Sequence, residues 1–333
     1  MTARPLDLDL RRWMRPLDGG THLTVWVALF ALLLIGALRY DNFLSAYNVS
    51  SFLGYNSMFI LISVGMCLVI MTGGIDLSVG AVAALSSVVA AFLSARGLAV
   101  ALPAGVATGL LVGAVNAGLI VGLRLPPFMA TLASMLAAKG AALVISDSRA
   151  VPADWTSDFT ALGMNKIGPW VPWTILVALP VVLAAWYVLE RTSLGRTVLA
   201  VGGNAEAAHL MGLKTSRALV FVYLFSGACA GLAGVLLASP GGGQPLEGMG
   251  WELAAIASVV VGGTLLTGGM GSVPATVAGA LLFGLVFNML NFENGLPGGL
   301  SLSAYWQSVI RGAFLLVVIL LQVRLARPAA HKA

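Results

Sequence analysis

VIMTGGIDLSVGAVAAL, residues 69–85, places an acid, Asp76, inside a long apolar run, two residues after a Gly73-Gly74 break. A carboxylate at hydrocarbon depth costs about 2.5–3.5 kcal/mol on insertion scales. A broken helix at that depth is tolerated only where it is buried in protein or lines a cavity. The segment therefore points to a polytopic membrane protein with a pathway or a bistable helix pair, not to a simple anchor.

The rest of the chain agrees. Of its 333 residues 59% are hydrophobic and 9% charged, against roughly 25% charged in soluble domains. Mean hydropathy is +0.96. The net charge of +5 reads as loop charge that sets topology, not as a nucleic-acid surface. Cys67 and Cys229 both fall in apolar runs, which suits small core residues better than a disulfide or a metal site. The 40 glycines suit close helix packing in a bilayer. No GxxxxGK[ST], HExxH, CxxC or GxSxG string occurs, and His22, His209 and His331 lie away from mid-membrane. We expect no cofactor, no metal and no enzymatic activity. Energy for uphill movement would come from a partner or from an ion gradient.

With about 20 residues per span, the apolar runs predict an all-α bundle of about ten membrane helices: 24–38, 52–71, 76–95, 98–122, 127–146, 171–190, 217–238, 252–267, 272–291 and 306–323. The first run is too long for a signal-peptide core and lacks a cleavage site, so it is read as retained. A membrane domain over 24–323 then lies between a 1–23 segment and a 324–333 tail. Most Lys and Arg fall on one side if both termini are cytoplasmic, which places loop 191–216 inside and loop 147–170 outside. Trp155, Trp170, Trp173 and Trp306 fall near the outer ends.

Thr72-Gly73-Gly74 before Ser78-Val79 is echoed by Thr267-Gly268-Gly269 before Ser272-Val273. Such paired breaks can mark an internal repeat around a pathway. In a chain this rich in glycine they can equally be coincidence. Within the inner loop, Asn204 is a good N-cap, Glu206 suits a first turn and Gly212 a C-terminal stop. The short helix between them either docks on a cytoplasmic partner or is an ordinary capped loop. Asp76 either lines a path or caps the helix that follows it; the cap is the favoured reading. Asn56, Asn116, Asn288 and Gln307 are amides in or near spans, each better read as a helix-to-helix bond than as a sugar contact; Asn56, Asn116 and Asn288, with Asp76 and Ser78, are the candidate path residues. Met58, Phe59, Met66 and Met71 are read as packing. Lys139 is read as snorkelling or paired, and Arg311 as snorkelling.

Five stretches in order carry a resemblance: TGGIDLSVGA (72–81), PPFMATLASM (126–135), GRTVLAVGGNAEAAHLMGL (195–213), SGACAGLAGVLLAS (226–239) and IASVVVGGTLLTGGMGSVPATVAGALL (256–282). From about Ser51 to Gln322 the chain resembles the permease subunit of a bacterial ABC importer for simple sugars, of the ribose, xylose and galactofuranose permease family. The resemblance implies a multi-pass inner-membrane protein and no nucleic-acid partner. It also implies a cytoplasmic ABC ATPase subunit, a periplasmic sugar-binding protein and a second permease chain, alike or related. Gly203, Asn204, Glu206, Ala207, Ala208 and Gly212 match the family's coupling segment, with Ala207 and Ala208 expected to face the ATPase. The chain departs from the family at Ala254, where an acid is common, and in its glycine-rich stretch 291–304. A non-sugar cargo such as an amino acid, or an ion-coupled transporter using Asp76, is the alternative.

Overall fold

The computed structural model describes residues 21–296 and isolated positions between 303 and 316. The chain runs through α1 (Thr21–Arg39), α2 (Ala46–Met71), α3 (Val79–Phe92) and α4 (Leu98–Ala117), which continues into a π turn (Gly118–Gly122). Next come α5 (Pro127–Ile145), a single turn α6 (Ala161–Met164), a ribbon of β1 (Lys166–Ile167) and β2 (Val171–Pro172), and α7 (Trp173–Arg191). The remainder is α8 (Ser193–Gly203), α9 (Ala205–Leu210), α10 (Thr215–Ala238), α11 (Trp251–Val261) and α12 (Val273–Gly295).

Among the described residues six helices are long and apolar enough to cross a membrane: α2, α4 with its π turn, α5, α7, α10 and α12. Three more, α1, α3 and α11, are apolar but shorter. Each run expected between 24 and 291 meets a helix, and most of the run 306–323 lies outside the described residues.

Two expected spans are shorter than the sequence suggested. The run 76–95 begins as α3 only at Val79, because Asp76 turns its side chain back to accept from the Ser78 N–H (3.0 Å). The run 252–267 stops at Val261. Gly263 there takes a left-handed φ of +84°, with N–H bonds from Gly263 to Val260 O (2.9 Å) and Thr264 to Val259 O (3.2 Å). Those paired bonds are a Schellman stop, six residues ahead of the Thr267-Gly268-Gly269 string. At about 1.5 Å per residue, neither α3 nor α11 reaches across a hydrocarbon core of about 30 Å. The loop 191–216 also differs from its reading: eleven of its residues form α8. The Thr192 hydroxyl caps it by accepting from the Gly195 N–H (3.2 Å).

Helix α2 is the centre of the bundle. Every residue from Ile60 to Met71 is buried, and α7, α10, α11 and α12 pack around it. Met58, Met66 and Met71 are core residues, as read. The longest interface joins α4 to α10 and is made of glycine. A Cβ on Gly109 would overlap Gly227 O, and a Cβ on Gly227 would overlap Gly109 O. Gly231 sits one turn further along, where a Cβ would lie 2.8 Å from Gly105 O. With glycine every fourth residue on both helices, the backbones touch directly. This is how helices associate where lipid competes for every apolar side chain.

The two ends of the bundle differ. At one end segment 147–172 is folded onto the helix tips. The Asp158 carboxylate accepts from the Leu98 N–H at the start of α4 (2.7 Å), and Lys166 Nζ donates to Ser50 Oγ at the start of α2 (2.7 Å). Val151 pairs with Gly243 beyond α10. Asp154 accepts from both the Thr156 hydroxyl (2.6 Å) and its N–H (2.8 Å), which holds its carboxyl below the usual carboxylate range. Arg39 and Tyr40 both reach Glu293 at this end (2.9 Å each), tying α1 to α12. The opposite end carries α8 and α9.

Gly109→Val forces a branched side chain into the Gly227 carbonyl. Overpacking of this kind costs about 1–3 kcal/mol, so the melting temperature in detergent should fall by several degrees. Gly140→Ala, on α5 with open space at that position, should melt with the wild type. Equal melting of all three would show that α4 and α10 do not meet here.

Candidate functional site

Three features stand apart from ordinary packing: the Asp76 carboxylate, the glycine corners beside α9, and a cavity between α2, α11 and α12.

After Met71 the chain leaves α2 through another Schellman stop. Gly73 takes φ +79°, and the N–H groups of Gly73 and Gly74 reach Ile70 O (2.8 Å) and Val69 O (3.3 Å). The chain then doubles back and buries Asp76 to 1% exposure. Its Oδ1 accepts from the Ser78 N–H (3.0 Å) and hydroxyl (2.6 Å), and Oδ2 accepts from Ser226 Oγ on α10 (2.7 Å). Asn116 on α4 donates to Ser78 Oγ (3.0 Å). No basic side chain among the described residues pairs with this carboxylate. Asp76 thus closes a turn onto Ser78 and ties the start of α3 to α4 and α10; the N-cap position of α3 is Ser78, whose own side chain makes no cap bond, and not Asp76 as expected. The Tyr223 hydroxyl and Asn116 Oδ1 are buried close by with no hydrogen-bond partner.

The echoed glycine strings meet in space. Gly269 N–H donates to Met71 O (3.0 Å), and a Cβ on Gly268 would lie 2.7 Å from Gly73 N. The last turn of α8 closes the same corner. A Cβ on Gly202 would overlap Met71 O and Gly269 N, and one on Gly269 would lie 3.0 Å from Gly203 Cα. Three backbone segments converge where no side chain fits, and α9 starts one residue later.

Helix α9 has the ends read from its sequence. Asn204 Oδ1 accepts from the Ala207 N–H (2.9 Å). Gly212, at φ +79°, closes it with N–H bonds from Gly212 to His209 O (2.9 Å) and Leu213 to Ala208 O (3.1 Å). One expectation is corrected: Ala208 is fully buried in the chain's own fold and does not face outward. Its methyl seats α9 on the bundle. Ala207 is half-buried; Gly203, Asn204, Glu206 and Gly212 are exposed. Sequence reading passed over the largest outward groups, Leu210 (80% exposed) and Met211 (71% exposed). The signal was there: two large apolar residues ending a polar loop helix.

The cavity has a volume of about 310 Å³. Asn56 and Asn288 line it, with Phe59, Trp251, Phe283 and Phe287 as its aromatic walls. It lies in the half of the bundle nearer segment 147–172, since Ser51 at its rim follows the Ser50 that Lys166 grips. Asn288 exchanges hydrogen bonds with Asn48 across α2 and α12 (2.8 and 3.2 Å), the helix-to-helix bond that was one reading of it. Asn56 donates to Phe52 O (2.8 Å), while its Oδ1, buried, has no partner. Phe59, read as packing, does pack against the core and also forms a wall of the cavity. Asp76, Ser78 and Asn116 form one cluster and Asn56 and Asn288 line another site, so the structure does not bring the five expected path residues together.

Residues 48–319 match the family model described as branched-chain amino acid transport system / permease component. The ribose import permease of Escherichia coli K12 is 37% identical over 299 residues, 88% of this chain and 91% of that protein. The D-allose transport system permease of the same strain is 35% identical over 305 residues, 90% of each chain. The fructose import permease of Bifidobacterium longum is 35% identical over 312 residues, 89% of this chain and 88% of that protein. No solved structure matches.

Asp76→Ala should destabilise the protein. It strips partners from the Ser226 hydroxyl and the Ser78 N–H, and each buried orphan costs about 1–3 kcal/mol. Asp76→Asn keeps an acceptor for Ser78 and should lose less. Melting in detergent, read beside transport, checks this; an alanine variant as stable as wild type would mean the cluster holds nothing.

Proposed function

The chain belongs to the family of permease components that includes those of branched-chain amino acid transport systems, and we propose that it is the membrane subunit of an ATP-driven importer for a monosaccharide. Its place in that family makes it an inner-membrane transport subunit and not an enzyme. The observation that carries the cargo is similarity over nearly the whole chain to permeases named for ribose, allose and fructose import. In this reading a periplasmic binding protein delivers the sugar, two permease chains form the path, and cytoplasmic ATPase subunits drive alternating access. About ten spans cross the membrane, with both termini inside.

The glycine corner gives that reading a physical route. An ATPase that pulls on α9 pulls on the last turn of α8, which lies directly on the backbone of both breaks. Displacement at the cytoplasmic face would reach α2, α3 and α12 without passing through flexible side chains. The contact face assigned to α9 is Glu206, Leu210 and Met211, with Asn204 and Gly212 fixing the helix ends and Ala207 at the edge.

An amino-acid cargo is the second reading, favoured by the description of the matching family model. Ion coupling through Asp76 has less support, since both its oxygens are engaged by serines. Uptake of labelled D-ribose, D-allose, D-fructose and L-leucine decides among these cargoes, in cells supplying the ATPase and binding protein of the same system. Sugar accumulation that stops when ATP is depleted is expected; leucine accumulation without sugar would overturn the sugar reading.

Leu210→Asp puts a charge on the assigned contact face while leaving the bundle untouched. ATPase recovered with the tagged permease should fall at least about five-fold, a loss of about 1 kcal/mol of binding, and uptake should fall with it at equal membrane levels. Unchanged recovery would remove α9 from the interface. For orientation, Ala150→Cys should react with an impermeant maleimide from outside and Ser216→Cys only after lysis. Both positions are exposed, and the natural cysteines Cys67 and Cys229 are buried. The reverse pattern would invert the topology.

A further inference from the structure

We propose that the cavity between α2, α11 and α12 is a saccharide site inside the permease itself, with Asn56 as its hydroxyl-reading residue. The proposal rests on the sugar reading above and adds a location and a chemistry to it. A volume of about 310 Å³ sits at the small end of ligand pockets, which run to about 1,000 Å³, and suits a single sugar ring. Among the described residues no charged side chain lines the cavity. A zwitterionic amino acid entering it would bury both charges without a partner, which is strongly unfavourable. A neutral polyol loses far less.

The walls match the two faces of a sugar. Phe59 and Trp251 meet tilted at 43° with ring centroids 4.8 Å apart, and Phe283 and Phe287 meet edge-on at 5.0 Å. Aromatic faces carry negative quadrupole charge and so attract the weakly positive C–H face of a pyranose or furanose. The polar edge of such a ring needs donors and acceptors, and Asn56 has one to offer. Its Nδ2 is engaged by Phe52 O, while Oδ1 is 3% exposed at the residue level and unpartnered. Gly284 faces it: a Cβ there would overlap this carboxamide, so any larger residue would displace it. A buried amide oxygen without a donor calls for an explanation, and a hydroxyl arriving in the adjoining cavity supplies one. Asn288 is already paired to Asn48, and Ser51, Tyr55 and Asn291 complete the polar part of the lining.

Saturation-transfer difference NMR on the purified protein in nanodiscs tests this, with D-ribose, D-allose and D-fructose as probes and L-leucine as the zwitterion. Two variants accompany the wild type. Asn56→Leu keeps the volume and removes the amide; Ala254→Phe fills the cavity. Melting temperatures establish that each is folded, and Phe287→Ala replaces either one that is not. The expected result is transfer to at least one sugar and not to leucine, reduced at least about five-fold by loss of one hydrogen bond in Asn56→Leu, and abolished in Ala254→Phe. Sugar signal of wild-type strength in both variants overturns the cavity while the sugar reading stands. Transfer to leucine alone overturns both. No transfer to any probe in the wild type overturns the cavity, and the uptake experiment then judges the sugar reading separately.

Discussion

Within a bilayer no backbone N–H or C=O can be left to water, so a broken helix survives only if protein closes over the break. The architecture follows from how this chain meets that constraint at residues 72–78 and 262–272. Each helix before a break ends in a Schellman stop that consumes its own last carbonyls. One remaining carbonyl, Met71 O, is taken by Gly269 N–H from the other break. This closure requires backbone-to-backbone approach, and Gly73, Gly202 and Gly268 provide it by having no side chain. The abundance of glycine, which in a soluble helix would weaken it, here permits the fold.

The same closure decides where polar groups can go. Turning back after Gly74 drives Asp76 into the core, where two serine hydroxyls and one N–H answer it. The amides of α2 and α12 lie elsewhere. Asn56 is 15 residues from Met71 along α2, about 22 Å at helical rise. A structural node near the breaks and an aromatic cavity towards the other end therefore lie at separate levels along the central helix α2. In the proposed cycle, motion at the node would tilt α2 and α12 and so alter the cavity between them.

Much of this was legible in the residues. Hydropathy alone placed the long helices, because spans of 19 or more apolar residues have no soluble counterpart. Asn204 and Gly212 announced α9 through cap chemistry. What escaped had physical reasons. The lengths of α3 and α11 depend on where capping starts and where a Gly-Gly pair stops a helix, and hydropathy runs straight through both. Helix α8 is amphipathic and sits at the foot of α7, so composition made it look like loop. The inward turn of Ala208 is set by which face of a six-residue helix meets the bundle, and a string of small residues does not encode that face. Phe59 joined Trp251 and Phe283 only through the packing of three helices distant in sequence. The echoed Thr-Gly-Gly strings were visible, but their direct contact was not.

The central claim is that α9 and the two breaks form one body through their glycine corner. Spin labels at Ala205, at the start of α9 and outside its assigned contact face, and at Met270, both exposed, bracket that corner, and an Ala205–Tyr47 pair reports the overall switch. Pulsed electron–electron distance measurements on the importer complex, first without nucleotide and then trapped with ATP, test the claim directly. The account predicts an unchanged Ala205–Met270 distance while the Ala205–Tyr47 distance shifts. A change of about 5 Å between Ala205 and Met270, one helical turn, would contradict it: α9 would then move free of the breaks.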